Sequence, residues 1–165
     1  SLHDALPICE IIMNTNGRYD PNKKYFNSEW LDKIDKRDRS LIDMAFKALK
    51  NSYSPYSNFR VGACVETKTD QYFIGTNIEN SSLGLTNCAE RNAIFSAFSH
   101  GFRKKDIRAI AIVSEDDKLT TPCGACRQVL SELLEPTCPI ILTNGREVLV
   151  TDIIHLLPLS FSLDI

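Results

Sequence analysis

The chain has 165 residues, the length of one globular domain, and 43% of them are hydrophobic and 24% charged, as is usual for a globular protein. Nineteen Lys+Arg residues against 21 Asp+Glu residues leave a formal net charge of −2, which excludes a general electrostatic attraction to nucleic acid or anionic lipid. The sequence has no apolar run long enough to span a bilayer and no signal-peptide pattern at its start. We therefore expect a cytoplasmic domain that binds neither membrane nor nucleic acid.

The first part of the chain carries few structural signals. Residues 1–27 show no hydrophobic periodicity, and we expect them to form an N-terminal extension that is disordered or not native. Ser28 is a candidate N-cap for a short helix over 29–34. We assign residues 28–165 to a single domain.

A helix and a β-hairpin are predicted next. Apolar residues recur at intervals of three and four over 41–49, which predicts an amphipathic helix that ends at the turn-forming run 52–58. Two β-rich runs, 59–66 and 72–78, follow with a short polar segment between them. This pattern is typical of an antiparallel hairpin.

Helices and strands alternate in the second half of the chain. The predicted elements are a helix over 88–98, a strand over 107–113, a helix over 123–134, strands over 139–142 and 148–150, and a short helix that begins at Asp152 and ends before Pro158. The run 107–113 is almost continuously apolar, as expected of a strand that is buried on both faces. The element order predicts an α/β fold, a three-layer α/β/α sandwich around a mixed central sheet.

Six cysteines are too few for a disulfide scaffold, and three of them belong to short motifs. Cys9, Cys64 and Cys138 are isolated in or beside apolar segments. Cys88 lies in Cys88-Ala89-Glu90-Arg91, and the other two lie in Pro122-Cys123-Gly124-Ala125-Cys126. In a reducing compartment a C-x-x-C motif indicates a metal site or a redox pair before it indicates a structural disulfide.

Both motifs lie at the predicted start of a helix, where partial positive charge lowers the pKa of a nearby thiol. Residues three apart on one helical turn point the same way, so Cys123 and Cys126 can reach one ion. With Cys88 they offer three thiolates to Zn²⁺, which prefers four tetrahedral ligands. Three protein ligands leave one position for water, which is the arrangement of catalytic zinc sites.

Glu90 and Arg91 directly follow the first cysteine motif. A carboxylate beside water activated by a metal can take up its proton and release it elsewhere, so Glu90 is the candidate general acid and base. Three thiolates leave a zinc site with a net negative charge, which opposes ionisation of that water. We hypothesise that the Arg91 guanidinium donates to one or two thiolates and offsets this charge.

Each motif taken alone admits another interpretation. Cys88 alone would most often be a small buried hydrophobic residue, and the C-x-x-C alone could be a redox pair or half of a structural zinc site. A structural site requires a fourth ligand, for which His3, His100 and His155 have no supporting motif. The joint occurrence of C-x-E and P-C-x-x-C at two helix starts favours the catalytic interpretation.

These motifs resemble those of zinc-dependent deaminases, which carry a Cys₃ or His/Cys/Cys metal site, a glutamate that is not a ligand, and a P-C-x-x-C segment. In detail the chain resembles the small cytidine deaminases of pyrimidine salvage. The similar stretches are Tyr56-Ser57-Asn58-Phe59-Arg60-Val61-Gly62-Ala63, Gly75-Thr76-Asn77-Ile78-Glu79-Asn80, Thr86-Asn87-Cys88-Ala89-Glu90-Arg91-Asn92-Ala93, Pro122-Cys123-Gly124-Ala125-Cys126-Arg127-Gln128-Val129 and Leu156-Leu157-Pro158-Leu159-Ser160-Phe161. They follow one another in the same order from about Arg39 to Phe161.

The resemblance implies hydrolysis of cytidine and 2′-deoxycytidine to uridine and 2′-deoxyuridine, with release of ammonia. It implies one Zn²⁺ per chain on Cys88, Cys123 and Cys126, with Glu90 moving protons to the ring nitrogen and to the leaving amine. It further implies that Asn77 and Glu79 bind the ribose hydroxyls, that Phe59 packs on the pyrimidine, and that the Ala89 N–H and the Thr121 carbonyl contact the base edge. By the same resemblance the chain is a homotetramer in which Phe161 reaches the pocket of a neighbouring subunit.

The chain departs from the family pattern at two places. Leu83 stands where these enzymes usually have a tyrosine, and only Ser162-Leu163-Asp164-Ile165 follows Phe161. Either departure is expected to affect substrate binding or assembly rather than the metal ligands.

Two other functions stay open at this stage. A blasticidin-type deaminase would share the same metal core and act on a different nucleoside analogue, although Phe59 and the pair Asn77 and Glu79 favour cytidine. A non-catalytic zinc-binding relative is disfavoured because Glu90 is intact. A polynucleotide-editing deaminase would ordinarily have a histidine ligand and a basic groove, and the sequence has neither.

Overall fold

A computed structural model describes residues 34–163. Its helices and strands are α1 (Lys36–Leu49), β1 (Val61–Thr67), β2 (Tyr72–Thr76), α2 (Ala89–Ser99), β3 (Ile107–Ser114), α3 (Gly124–Leu133), β4 (Ile140–Thr143), β5 (Val148–Thr151) and α4 (Ile153–Leu156), with 3₁₀ turns at Leu83–Leu85 and Lys104–Asp106. The predicted types and order of these elements are confirmed. The extension at 1–27 and most of the helix at 29–34 lie outside the described residues, and their assignment stays a prediction.

The five strands form one mixed sheet in the order β2-β1-β3-β4-β5. β1 pairs antiparallel with both β2 and β3, as the predicted hairpin requires, and β4 pairs antiparallel with β5. Only β3 and β4 are parallel, with Ile112 opposite Leu142. A parallel pair needs a crossover connection, and α3 supplies it.

Helices cover both faces of this sheet. On one face, α1 packs Leu41, Ala45 and Leu49 against side chains of β1, β3 and β4. On the other face, α2 and α3 pack against the opposite side chains of the same strands, with Ile94 and Leu130 fully buried. The three-layer α/β/α sandwich is therefore confirmed, and the two cysteine motifs belong to the α2 and α3 layer. Within residues 34–163, no helix combines the length and apolar character needed to cross a bilayer.

Two glycines allow helices to approach the sheet closely. A Cβ added at Gly62 would lie 2.1 Å from the Ala45 carbonyl oxygen of α1. A Cβ added at Gly75 would lie 2.4 Å from both the Ala89 carbonyl oxygen and the Ala93 nitrogen of α2. Any side chain at Gly75 would therefore displace the first turns of α2, which carry Glu90.

The first strand is shorter than the sequence predicts, because polar side chains replace ladder hydrogen bonds at its start. The predicted strand begins at Phe59, whereas β1 begins at Val61. Asn58 has a left-handed backbone (φ 54°), which breaks an extended run. The Val61 N–H then donates to Oδ1 of Asn77 at 2.9 Å.

The second strand also ends early, at Thr76 rather than Ile78. Ile78 instead forms isolated bridges to Tyr53 and to Asn87. The residues after β2 are thus held between the loop before β1 and the segment that leads into α2.

A buried carboxylate joins α1 to the sheet. Glu66 of β1 is fully buried and accepts hydrogen bonds from the guanidinium groups of Arg37 in α1 and Arg108 in β3. Arg108 also donates to Asp38 at 2.7 Å. Because both arginines converge on Glu66, the carboxylate balances charge that spans two strands and a helix.

We expect Glu66→Gln to lower the free energy of unfolding by about 3 kcal/mol, because loss of one partner leaves the other charges of a buried pair uncompensated. Urea unfolding at matched protein concentrations measures this change. Asp117→Asn is the control, because the Asp117–Arg146 pair is 92% and 63% exposed and should contribute nothing measurable. Equal losses in the two variants would contradict the assignment of Glu66 as a structural charge centre.

Candidate metal centre

Three thiols converge where α2 and α3 begin. Cys88 is the N-cap residue of α2, Cys123 is the N-cap residue of α3, and Cys126 lies in the first turn of α3. The three sulfur atoms lie within 4.8 Å of one another, and those of Cys88 and Cys123 are 4.0 Å apart. The structure therefore brings together the three residues that the two sequence motifs singled out.

The surroundings of the cluster favour a thiolate at Cys88. Its pKa is lowered to about 5, chiefly by hydrogen bonding with Cys126 and further by Arg91. The pKa of Cys126 is raised, first by the same hydrogen bond and then by burial, so the geometry favours the thiolate at Cys88 over that at Cys126. A bound cation removes that preference, because a thiol that coordinates a metal is deprotonated.

Glu90 lies in the first turn of α2 and its side chain is almost fully buried, with 5% of the residue exposed. Burial is the largest cause that raises its pKa, to about 7, and the neighbouring Cys88 thiolate adds to the shift. A carboxyl group with a pKa near neutrality can both accept and donate a proton at physiological pH, which suits general acid and base catalysis.

Arg91 contacts the cluster from the same helical turn. Its Nη2 donates to the sulfur of Cys88 at 3.4 Å, and its pKa is raised first by that hydrogen bond. Its Nε is buried and has no hydrogen-bond partner among residues 34–163. The guanidinium thus lies against the thiols, as the sequence hypothesis requires.

The donor set fits zinc. Soft thiolates favour Zn²⁺ over hard cations such as Mg²⁺ or Ca²⁺, and two helix N-termini together with Arg91 offset the charge of three thiolates. Three thiolate ligands would leave a coordination position free, and the buried Glu90 carboxyl group is not among the groups close enough to hold the ion. Among the described residues these three form the one group of His, Cys, Asp or Glu side chains close enough to hold a metal ion.

Asn77 and Glu79, the predicted ribose ligands, lie just after β2 and are largely buried. Nδ2 of Asn77 donates to the Phe59 carbonyl at 2.8 Å, while its Oδ1 accepts from Val61 and Ser52. Both ends of this amide are therefore engaged in holding the loop before β1.

Glu79 fixes the same loop from the other side. Its carboxylate accepts from the backbone N–H of Tyr56 at 2.9 Å, from that of Ser57 at 3.2 Å, and from the Ser57 hydroxyl. The Ser57 hydrogen bond is the largest cause that lowers the pKa of Glu79, so the group is an anion at neutral pH. Carboxylate oxygens have further acceptor capacity, so a sugar hydroxyl can still bind.

Main-chain bridges connect these residues to the candidate metal ligands. Ile78, between Asn77 and Glu79, exchanges two hydrogen bonds of 3.0 Å with Asn87, the residue before Cys88. On its other side, Glu79 N–H donates to the Tyr53 carbonyl at 2.8 Å. The candidate sugar ligands and the candidate metal ligands therefore belong to one connected stretch of backbone.

The other predicted contact residues have diverse surroundings. Phe59 is half-buried and packs on the edge of the core formed by the α2 and α3 face. Ala89 is fully buried, and Thr121 is exposed just before the second cysteine motif. Phe161 is 69% exposed, and its carbonyl accepts from Nε2 of Gln128 at 3.1 Å. Leu83 is 73% exposed.

Comparison with known proteins identifies the group to which this arrangement belongs. Residues 35–141 match the family model described as the cytidine and deoxycytidylate deaminase zinc-binding region. This chain belongs to that family. The three thiols of the cluster all lie within the matched range, and zinc is the cofactor that the family description names.

Relatives and solved structures agree with this assignment. A cytidine deaminase of Halalkalibacterium halodurans is 43% identical over 123 residues, which cover 74% of this chain and 92% of that protein. The crystal structure of a cytidine deaminase from Burkholderia pseudomallei superposes with a TM-score of 0.72 at 48% identity, covering 74% of this chain and 98% of that one. A blasticidin-S deaminase of Bacillus cereus is more distant, at 31% identity over 78% of this chain and 95% of that protein.

Several polar residues that shape the deaminase site were missed by sequence reasoning. The turn and helix patterns predict no side-chain contact for Ser52, Ser57 or Asn92. Asn92 accepts from Nδ2 of Asn87 at 2.5 Å and donates to the Thr76 carbonyl at 2.8 Å, so it connects β2 to α2. Asparagine is an unfavourable residue inside a helix, and that signal could have marked it.

We expect Cys126→Ala to lose its zinc after dialysis, whereas the wild-type chain retains about one ion, as a three-thiolate site requires. Cys138→Ala is the matched control, because Cys138 is also buried and its pKa is raised to about 12 by burial. Elemental analysis per chain measures both. Equal zinc content in the two variants would exclude Cys126 as a ligand.

Proposed function

We propose that this chain catalyses the hydrolytic deamination of cytidine and 2′-deoxycytidine, in which water replaces the exocyclic amine at C4 and ammonia leaves. The observation that carries the proposal is the cluster of three thiols within 4.8 Å, with the buried Glu90 two residues after Cys88. When bound, zinc supplies Lewis acidity that makes the attacking water acidic near neutral pH.

Glu90 is the proton carrier in this proposal. It accepts a proton from the attacking water and delivers it to N3 of the pyrimidine. It then takes the remaining proton of the hydroxyl group added at C4 and delivers it to the exocyclic amine, so that ammonia leaves and the C4 carbonyl forms. Each transfer needs a group whose pKa is close to the working pH, and burial raises the pKa of Glu90 to about 7. Arg91 supports this role by donating to the Cys88 thiolate, which reduces the negative charge facing the water.

The nucleoside is proposed to contact the residues around the cluster. Asn77 and Glu79 bind the ribose hydroxyls with the acceptor capacity that remains beside their loop contacts. Phe59 packs on the pyrimidine, and the backbone groups of Ala89 and Thr121 contact the base edge. These roles are supported by the resemblance to cytidine deaminases and by the hydrogen bonds that connect Asn77 and Glu79 to the segment before Cys88.

We expect Glu90→Gln to lower kcat for cytidine by about 1000-fold, because the amide cannot carry the proton. Zinc content and the unfolding midpoint should not change. Loss of absorbance as cytidine becomes uridine measures turnover. Glu132→Gln, an exposed change on α3, is the matched control and should retain wild-type activity.

The same assay separates the alternatives. A wild-type chain with full zinc that deaminates blasticidin S but neither cytidine nor 2′-deoxycytidine would replace the proposed substrate. Full zinc occupancy without turnover of any of the three would indicate a non-catalytic zinc-binding relative. If Glu90→Gln lost its zinc or its fold, the proton-carrier role would be wrong.

We also propose a homotetramer in the cytoplasm. A site built on three free thiols favours a reducing compartment. Ile74 on the edge strand β2 and Ile78 just after it are each more than 40% exposed, and both line a groove of about 290 Å³ between α1, β2 and α2. Exposed apolar side chains at an unpaired sheet edge are typical of a subunit contact. In such an assembly Phe161 would reach the pocket of a neighbouring subunit.

We expect the wild-type chain to sediment at four times its chain mass, and Ile74→Asp to shift the population toward smaller species by placing a charge at the contact. Ile154→Asp is the control, because Ile154 is 50% exposed on α4, which follows β5, the strand at the opposite edge of the sheet. Sedimentation velocity over a range of concentrations measures the masses. A monomeric wild-type chain would exclude the tetramer.

A further inference from the structure

Arg127 makes an unusual set of contacts beside the metal ligands. Its Nε donates to the Pro122 carbonyl at 2.7 Å, its Nη1 to the Leu156 carbonyl at 2.8 Å, and its Nη2 to the Thr121 hydroxyl at 2.9 Å. The guanidinium therefore connects three acceptors that lie in two separate segments of the chain. No salt bridge within residues 34–163 includes Arg127, unlike Arg37 and Arg108 of the structural charge centre.

Two of these contacts fix one peptide group. Thr121 and Pro122 immediately precede Cys123, and the peptide bond between them carries the Thr121 carbonyl. Arg127 binds the Thr121 hydroxyl on one side of that bond and the Pro122 carbonyl on the other side. The ring of Pro122 restricts the backbone further. Arg127 therefore restrains the peptide group that carries the Thr121 carbonyl from both of its sides.

The third contact reaches the C-terminal segment. Leu156 is the last residue of α4, and the chain from there leads to Phe161. Gln128, the neighbour of Arg127, donates to the Phe161 carbonyl at 3.1 Å. Adjacent side chains of α3 thus hold both ends of segment 156–161 next to the start of the helix that carries Cys126.

We propose that Arg127 is a positioning residue for nucleoside binding, which orients the Thr121 carbonyl and fixes segment 156–161 beside it. This inference rests on the proposed deaminase function. Arg127 does not touch the reacting atoms, so its loss should weaken binding of the nucleoside more than it slows the proton transfers made by Glu90. A planar guanidinium has the fork of donors that three acceptors require, whereas an ammonium group has one nitrogen.

Arg127→Lys tests the proposal while keeping the charge. We expect KM for cytidine and the dissociation constant for uridine, measured by calorimetry, to rise about 10-fold or more, the loss that one or two hydrogen bonds from a charged donor produce. Zinc content should not change, and kcat should stay within about 3-fold of wild type. A contact that stabilises the bound substrate and the transition state equally affects KM and leaves kcat unchanged.

Arg103→Lys is the matched control. Nη1 of Arg103 also donates to two backbone carbonyls, those of Phe98 and Phe102, but it lies after α2 and away from the cysteine motifs. It should leave both constants unchanged. Thr121→Val removes only the hydroxyl that Arg127 binds, and it serves as the second variant if Arg127→Lys does not fold. Thr121→Val breaks the same hydrogen bond that Arg127→Lys weakens. The KM of the double variant should therefore be close to that of Arg127→Lys alone.

The outcomes separate the two proposals. An active wild-type chain whose KM and uridine affinity are unchanged by Arg127→Lys and by Thr121→Val would overturn the positioning role alone. Loss of zinc in Arg127→Lys would also overturn it, because Arg127 would then act on the metal ligands. An inactive wild-type chain that still binds uridine would overturn the deaminase function. The positioning role of Arg127 would then be tested by whether Arg127→Lys binds uridine more weakly than the wild type does. A wild-type chain that neither turns over cytidine nor binds uridine would overturn both the deaminase function and the positioning role of Arg127.

Discussion

The close contact between the first turns of α2 and the backbone of β2 determines the position of the reactive groups. At Gly75 only a hydrogen atom separates the strand from Ala89 and Ala93, and Asn92 binds the Thr76 carbonyl one residue further along the strand. Because β2 is anchored to β1 by five paired residues, the start of α2 cannot shift along the sheet. Cys88 and Glu90 are therefore placed by the packing of a helix rather than by a flexible loop.

The second helix start is placed by a different constraint. β3 and β4 are parallel, so the chain must cross over between them, and α3 is the crossover. Its N-terminus follows β3 on the same face of the sheet that α2 covers, which brings Cys123 and Cys126 to Cys88. A site with ligands from two helix N-termini gains two favourable dipoles for its thiolates. The guanidinium of Arg91 offsets part of the negative charge that remains on the thiolates. The electrostatic balance of the site therefore depends on both helix N-termini and on Arg91 together.

The sequence predicted what depends on local spacing. Helical and strand periodicities gave the element order, and a separation of three residues on one turn gave the common direction of Cys123 and Cys126. The ends of β1 and β2 were wrong by up to two residues, because the side chain of Asn77 and the bridges of Ile78 replace ladder pairs there. The contacts of Arg127 with Leu156 and of Asn77 with Phe59 join residues 29 and 18 positions apart. No local pattern encodes such contacts, so the contacts made by Arg127 and Ser57 were missed.

The two proposed sugar ligands, Asn77 and Glu79, also hold the loop over 52–59 in place. Asn77 and Glu79 are already hydrogen-bonded to the loop over 52–59 in the ligand-free protein, and Glu79 is already ionised. A nucleoside bound by these two residues would meet side chains whose conformational freedom was already reduced on folding. Asn77 also holds the Phe59 carbonyl, so a change at Asn77 is expected to alter the position of Phe59 together with the proposed sugar contacts. Hydrogen bonds to Asn77 and Glu79 thus explain how the loop over 52–59 is held in place although it has few ladder hydrogen bonds.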